Sequence, residues 1–324
     1  MRYVLLGILF INHFFSFSQA DQQAIQDFTR NYAYEHKRPL SEIEDLLSRA
    51  EFQQSIIDKM EKPAEKTMTW TRYRNIFMKE DRINAGVEFW NENQTTLSAV
   101  SQESGIPEEI ILGIIGVETF FGERKGSYKV LDALYTLAFG YPKRASFFKS
   151  ELGKFIELCE KENLDIHSIK GSYAGAMGYS QFMPSSYLAY AKNYDGADGT
   201  DLMINVDDAI ASVANYLDVH RWQNGKPIAF PAHKAANAQK LKPQSTKPKK
   251  TYETYKSLGY TSADGSEISE NVSLLEFELE DGGSEYWFTL NNFYVITRYN
   301  HSPLYALAVY QLAEAIKEEM DKSN

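Results

Sequence analysis

The sequence predicts a mainly α-helical protein with a small β-containing subdomain near its C-terminus. Three observations carry this expectation. Apolar residues recur at helical spacing over most of the chain, proline and N-cap residues mark helix starts, and strand-like alternation is confined to a late stretch around LLEFELEDGGSEYWFTL. With 324 residues and 43% hydrophobic content, the chain can bury a full core as one large domain or as a domain with a smaller companion. A formal net charge of −10 argues against general nucleic-acid binding, which needs a basic face.

Residues 1–20 read as a secretory signal, with Arg2 at the start, an apolar run from Tyr3 to Phe17, and small residues at Ser18 and Ala20. No cysteine follows, so no N-terminal lipid anchor is expected, and the mature chain is expected to be soluble in the periplasm or secreted to the envelope. From residue 21 to about 102 the spacing of Ile25, Phe28 and Tyr32 is helical, and Ser41 with Glu44 resembles a capping box. Thr69 to Trp90 is dense in aromatics and Arg. This density suits either core packing, the commoner meaning, or a sugar groove.

The most informative stretch is GIPEEIILGIIGVETFFG, residues 105–122. Pro107, Glu108 and Glu109 suit a helix N-terminus, and Ile110 to Val117 cover nearly every direction around the axis, which predicts an enclosed helix. Glu118 then follows an apolar run and precedes Phe120 and Phe121. Desolvation there favours the protonated form, as protonation of a glycosidic oxygen requires. The alternative is a carboxylate that caps the helix or pairs with a buried Arg. Next, Pro142 opens a helix with Phe147, Phe148, Leu152, Phe155 and Ile156 on one side. Arg144 in its first turn opposes the macrodipole, which points to a carboxylate or ligand partner or to plain solvation. Cys159, the single cysteine, reads as a small buried hydrophobe.

GSYAGAMGYSQFMPSSY, residues 171–187, combines glycines that allow close backbone approach with polar Ser172 and Gln181 and flat Tyr173, Tyr179 and Phe182, as a saccharide groove does. A tight turn before a helix starting at Pro184 fits the same residues. The segment NYDGADGTDLMIN, residues 193–205, fails the calcium-loop spacing. With Asp198-Gly199 in the fifth and sixth places, Tyr194 and Gly196 take the first and third, and Asn205 the twelfth. Asn205 reads instead as the N-cap of a helix carrying Asn215 and Tyr216 beside its buried stripe. Residues 231–250 read as a Lys/Pro-rich linker or excursion, with a helical body at 21–230, the β-containing subdomain at 251–298 and a returning helix at 299–324. A turn at Asp281-Gly282-Gly283 separates two strands, Phe293 to Thr297 reads as a further short strand, and Ser302-Pro303 starts the last helix.

In their order, GIIGVETFFG, YPKRASFF, GSYAGAMGYSQFMPSSY, DAIASVANYL and NNFYVITRYNHSPLYALAVYQL resemble the lytic transglycosylase B family, across roughly Trp70 to Ile316. The resemblance implies a lysozyme-like helical catalytic domain with the small β-containing subdomain inserted near the C-terminus. It implies Glu118 as catalytic acid/base and Ser172, Gln181, Phe182, Tyr216, Tyr299 and Asn300 around the scissile bond, with Arg144, Tyr305 and Tyr73 as further cleft residues. Relatives can bind calcium in the Asp/Gly-rich loop, whose liganding pattern is degraded here; no metal and no cofactor are expected. The implied partner is the peptidoglycan glycan strand, acted on by a monomer, without nucleic acid. Association with cell-wall synthesis or division proteins is not deducible from the sequence.

Hydrolytic glycosidases use two carboxylates, whereas these motifs supply one, Glu118. A single carboxyl suffices if the substrate provides its own nucleophiles: the muramic acid 6-hydroxyl closes on the anomeric carbon and leaves a 1,6-anhydro end. Ser172 and Asn300 are expected to orient the carboxyl or acetamido group, and Phe182, Tyr216 and Tyr299 to shape the sugar sites. The alternatives are a muramidase-like hydrolase and a non-catalytic peptidoglycan-binding protein.

Overall fold

The computed structural model describes residues 21–62 and 68–323; the signal-like segment 1–20 lies outside the described residues. The N-terminal part is helical: α1 (Gln22–Glu35), α2 (Leu40–Ser48), α3 (Gln54–Met60), α4 (Trp70–Phe77), α5 (Glu80–Glu92) and α6 (Gln94–Ser104). Helix α2 starts at Leu40 behind Pro39, and Ser41 lies inside its first turn without capping it. The fixed φ of Pro39 begins the helix earlier than the capping-box reading placed it.

Helix α7 (Glu108–Thr119) is the axis of the molecule. Ile110, Ile111, Leu112, Ile114 and Ile115 are at most 1% exposed, as their all-round apolar pattern predicts. The glycines within it set its spacing to α14 (Pro303–Ser323): a Cβ on Gly113 would lie 2.6 Å from the Val309 carbonyl oxygen. At its N-terminus, Glu108 accepts from the Trp90 indole at 2.6 Å and Glu109 pairs with Lys317 at 2.7 Å. Helix α8 (Val130–Gly140) follows, then a 3₁₀ turn over Pro142–Arg144 that leads into α9 (Ala145–Lys161). Strands β1 (Tyr128–Lys129) and β2 (Lys170–Gly171) pair antiparallel and tie the segment after α7 to the glycine-rich stretch. Helix α10 (Pro184–Tyr190) has Pro184 in its first turn, and buried Glu151 of α9 caps it by accepting from the Ser185 amide at 3.0 Å and hydroxyl at 2.6 Å. Asn205 caps α11 (Val206–Val219) as expected, accepting from the Asp208 amide at 3.1 Å.

The sheet has the order β4-β6-β7-β3-β5, all pairs antiparallel, from β3 (Ala229–Lys234), β4 (Lys250–Thr251), β5 (Tyr260–Ser262), β6 (Asn271–Glu278) and β7 (Ser284–Thr289), with α12 (Tyr252–Lys256) against it. The β6–β7 hairpin turns at Asp281-Gly282-Gly283, closed by a Leu279 amide to Gly283 carbonyl bond of 2.9 Å. Strand β6 places apolar residues on both of its faces, each of which is covered. Val272 and Leu274 join Tyr252, Tyr255 and Phe288 in a small core, while Leu275 and Phe277 join the main core, where Phe277 meets Trp70 at 5.6 Å.

Two expectations are corrected. The segment expected as a linker from residue 231 supplies an inner strand of this sheet: Ala229–Lys234 sits between β7 and β5, so the excursion proper begins after Lys234. Phe293 to Thr297 is helical, within α13 (Asn291–Tyr299). Its β-branched run imitates a strand, yet Asn292, Phe293, Val295, Ile296 and Thr297 are the buried residues, a helical face that packs against α14 and α11.

Candidate active site

Glu118 is half-buried, one residue before the end of α7. The helix stops abruptly: Phe120, Phe121 and Gly122 have φ of 52°, 55° and 93°. Gly122 is required there, because a Cβ would lie 2.0 Å from the Tyr179 ring. Fully buried Thr119 holds this turn: its hydroxyl accepts from the Gly122 amide at 3.0 Å and lies 3.2 Å from the Tyr179 carbonyl. Buried Arg82 caps the helix end by donating to the Gly116 carbonyl, with Phe77 and Phe120 rings 5.2 and 4.6 Å from its guanidinium carbon. Burial pushes Arg82 down to about 10, which leaves it a cation at the negative end of the dipole. The sequence reading missed Arg82 and Thr119 as site supports; the Arg/aromatic density of residues 69–90 was the available signal for the first.

The Tyr305 hydroxyl donates to Glu118 Oε1 at 2.7 Å. Tyr305 is 2% exposed, and burial first and the Glu118 charge second hold its phenol well above the usual range, so it remains a donor. Buried Tyr73 lies close enough to add to that shift and packs on Phe77 at 5.2 Å. The Tyr299 ring runs nearly parallel to that of Tyr305, 6.4 Å away, and its hydroxyl donates to the Ser180 carbonyl at 2.7 Å. Burial and the Glu118 charge raise the Tyr299 phenol as well. Phe182 meets Tyr216 and Tyr299 at 5.7 Å each, and Tyr216 meets Tyr299 at 4.7 Å, so the three rings form one aromatic floor. The Tyr216 hydroxyl is anchored on the Arg298 carbonyl at 2.6 Å.

Gln181, at φ +47°, donates from Nε2 to the carbonyls of Lys125 at 3.1 Å and Gly178 at 2.9 Å. Ser172 Oγ accepts from the amides of Ala176 at 3.0 Å and Ala174 at 3.3 Å, which folds the glycine-rich loop. In that loop a Cβ on Gly178 would lie 2.1 Å from the Leu202 carbonyl oxygen, so this glycine serves the approach of two backbones of the chain itself. Asn300 is half-buried beside Tyr299, at the end of α13, and its carbonyl accepts from the Ser302 amide at 2.7 Å. Arg144 stands apart: it is exposed, with its guanidinium over Phe147 at 4.2 Å and Phe148 at 5.2 Å, so its partner is aromatic rather than a carboxylate. Buried Cys159, raised to about 12 by burial, is the small hydrophobe that its sequence context predicted.

A helical body that encloses most of one helix and brings out a carboxylate at its end is built as lysozyme-like enzymes are. The family model described as "Transglycosylase SLT domain" matches residues 20–314, and the chain belongs to this family of lytic transglycosylases. It is 39% identical over 306 residues to membrane-bound lytic murein transglycosylase B of Escherichia coli K12, covering 92% of this chain and 83% of that protein. Among solved structures it resembles soluble lytic transglycosylase SltB1 of Pseudomonas aeruginosa, with TM-score 0.82 and 39% identity over 91% of this chain and 98% of that one. E. coli Slt35 in complex with calcium gives TM-score 0.83 and 38% identity over 94% and 95%. P. aeruginosa SltB3 in complex with NAG-anhNAM-pentapeptide gives TM-score 0.76 and 25% identity over 91% and 79%.

Proposed function

We propose that this enzyme cleaves the MurNAc-β-1,4-GlcNAc bond of peptidoglycan without water and leaves 1,6-anhydro-MurNAc ends, with Glu118 as acid and then base. The observation that carries the reading is the Tyr305–Glu118 hydrogen bond of 2.7 Å at the end of an enclosed helix, beside the floor of Phe182, Tyr216 and Tyr299. Glu118 gives its proton to the glycosidic oxygen as the bond to the anomeric carbon breaks, and the 2-acetamido group stabilises the cationic centre. The Glu118 carboxylate then takes the proton of the muramic 6-hydroxyl as that oxygen bonds to the anomeric carbon. No atom of water enters. Glu123, the next carboxylate, is exposed beyond the turn at Gly122, which supports a one-carboxyl chemistry over the two-carboxylate hydrolytic scheme. The anhNAM ligand of the SltB3 relative supports the same product.

The roles of Ser172, Gln181, Asn300 and Arg144 in holding substrate remain part of this proposal. We place the enzyme in the periplasm or secreted envelope space on the strength of the signal-like segment 1–20. Among the described residues no helix is long and apolar enough to cross a membrane.

The test is incubation of the purified protein and of Glu118→Gln with isolated peptidoglycan, followed by mass spectrometry of the soluble fragments. Anhydro-muramyl fragments are expected from the wild type. The variant should remain folded and lose about 10²- to 10⁴-fold in rate, the usual worth of general acid/base catalysis. Fragments carrying an added water would establish a hydrolase, and a variant at wild-type rate would remove Glu118 from the chemistry.

A further inference from the structure

The calcium of the Slt35 complex raises the question of whether the 193–205 segment of this chain suits a cation. Its donor set does not fit. Among the described residues no group of three or more acidic, His or Cys side chains is arranged to hold a metal ion. Oxygens of Asp195, Asp201 and Asp208 already accept from N–H groups. Asp195 Oδ1 accepts from the Ala197 amide at 2.9 Å and Oδ2 from the Asn205 carboxamide at 2.8 Å. Asp201 Oδ1 accepts from the amides of Met203 and Ile204 at 2.7 and 3.1 Å. Both oxygens of buried Asp208 are used, by the Tyr194 amide at 2.7 Å and the Asp201 amide at 2.8 Å.

Asn193 occupies the middle of this arrangement. Its Oδ1 accepts from the Gly196 amide at 2.8 Å, and its Nδ2 donates to two converging carbonyls, that of Ala197 and, at 2.5 Å, that of Gly199. Converging backbone carbonyls are what a bound cation would draw together. Here a carboxamide NH₂ does so without adding charge.

We propose that the Asn193 carboxamide latches the 193–205 loop from within, in the role a cation would otherwise serve, so that this enzyme holds the loop without calcium. The latch bears on the active site through two backbone contacts. The Tyr179 amide donates to the Leu202 carbonyl at 2.9 Å, and Lys125 Nζ donates to the Met203 carbonyl at 2.7 Å. Tyr179 is also the residue whose carbonyl faces Thr119, next to Glu118.

The experiment is thermal unfolding of the full protein, followed by circular dichroism, in EDTA and in millimolar CaCl2, with calorimetric titration of CaCl2. The wild type is expected to melt at the same temperature in both buffers and to give no saturable binding heat. Asn193→Asp keeps the size of the side chain, removes both N–H donors and places a like charge beside Asp195. Asn193→Ser removes the donors without the charge. Both variants are expected to melt lower in EDTA by roughly 2 °C or more. A saturable calcium heat or a rise in the wild-type midpoint with calcium would overturn the proposal. So would wild-type melting of both variants in EDTA, which would show that the amide holds nothing.

Discussion

Replacing Tyr305 by Phe removes one oxygen from the site and nothing else. The ring keeps its 2% exposed position and its parallel neighbour Tyr299, so the fold should stand. What is lost is a 2.7 Å hydrogen bond donated to the Glu118 carboxyl. That bond favours the ionised form, and removing it favours the protonated one. A hydrogen bond to a charged group is worth about 1.5–3 kcal/mol, so its loss tips the balance between acid and carboxylate toward the acid. A general acid is active while protonated and is lost as pH rises. The basic limb of the rate profile should therefore move upward in Tyr305→Phe. The assay is kcat/KM against pH for soluble glycan fragments, with circular dichroism to verify folding. Tyr305 itself does not produce the limb, since burial and the Glu118 charge hold its phenol well above the usual range. A folded variant whose basic limb coincides with that of the wild type would refute the reasoning, because the group that titrates would then not be the one Tyr305 touches.

Arg82→Met should loosen the end of α7. Loss of a charged hydrogen bond to the Gly116 carbonyl costs about 1.5–3 kcal/mol, which lowers the melting midpoint by roughly 2–5 °C, and an unchanged midpoint would deny the cap. Gly113→Ala forces a methyl to 2.6 Å from the Val309 carbonyl oxygen and should cost about 1–3 kcal/mol in denaturant unfolding; wild-type stability would mean that α7 and α14 separate freely. Cys159, raised to about 12 and buried, should resist alkylation at mildly alkaline pH in the native protein and react once unfolded, which a mass-shift time course checks.

Much of this molecule is legible in its sequence because local signals and burial agree. The all-round apolar run of α7 and the Asn205 cap report on structure within a few residues, and the structure bears them out. The Phe293 to Thr297 strand failed because β-branched residues satisfy a strand pattern and a one-sided helix equally over five positions, and only packing against α14 decides. Ala229–Lys234 was hidden for a different reason: a strand whose partners, β7 and β5, lie far along the chain carries no local mark of its pairing. At the site, the tyrosines were named through family resemblance, while Arg82 and Thr119 act through backbone carbonyls and amides. A contact with a main-chain atom selects a geometry rather than a residue pattern, and a single sequence does not display it.

The position of Glu118 explains how one carboxyl can serve as both acid and base in the proposed cycle. The last turn of a helix exposes carbonyl oxygens, and a half-buried setting withholds water; both oppose the anion and keep the proton available for transfer. The Tyr305 hydroxyl opposes them by stabilising the anion once the proton has gone. Arg82 secures the same helix end by donating to the Gly116 carbonyl, two residues before Glu118. The helix is thus capped through its backbone while the carboxyl accepts from the Tyr305 hydroxyl.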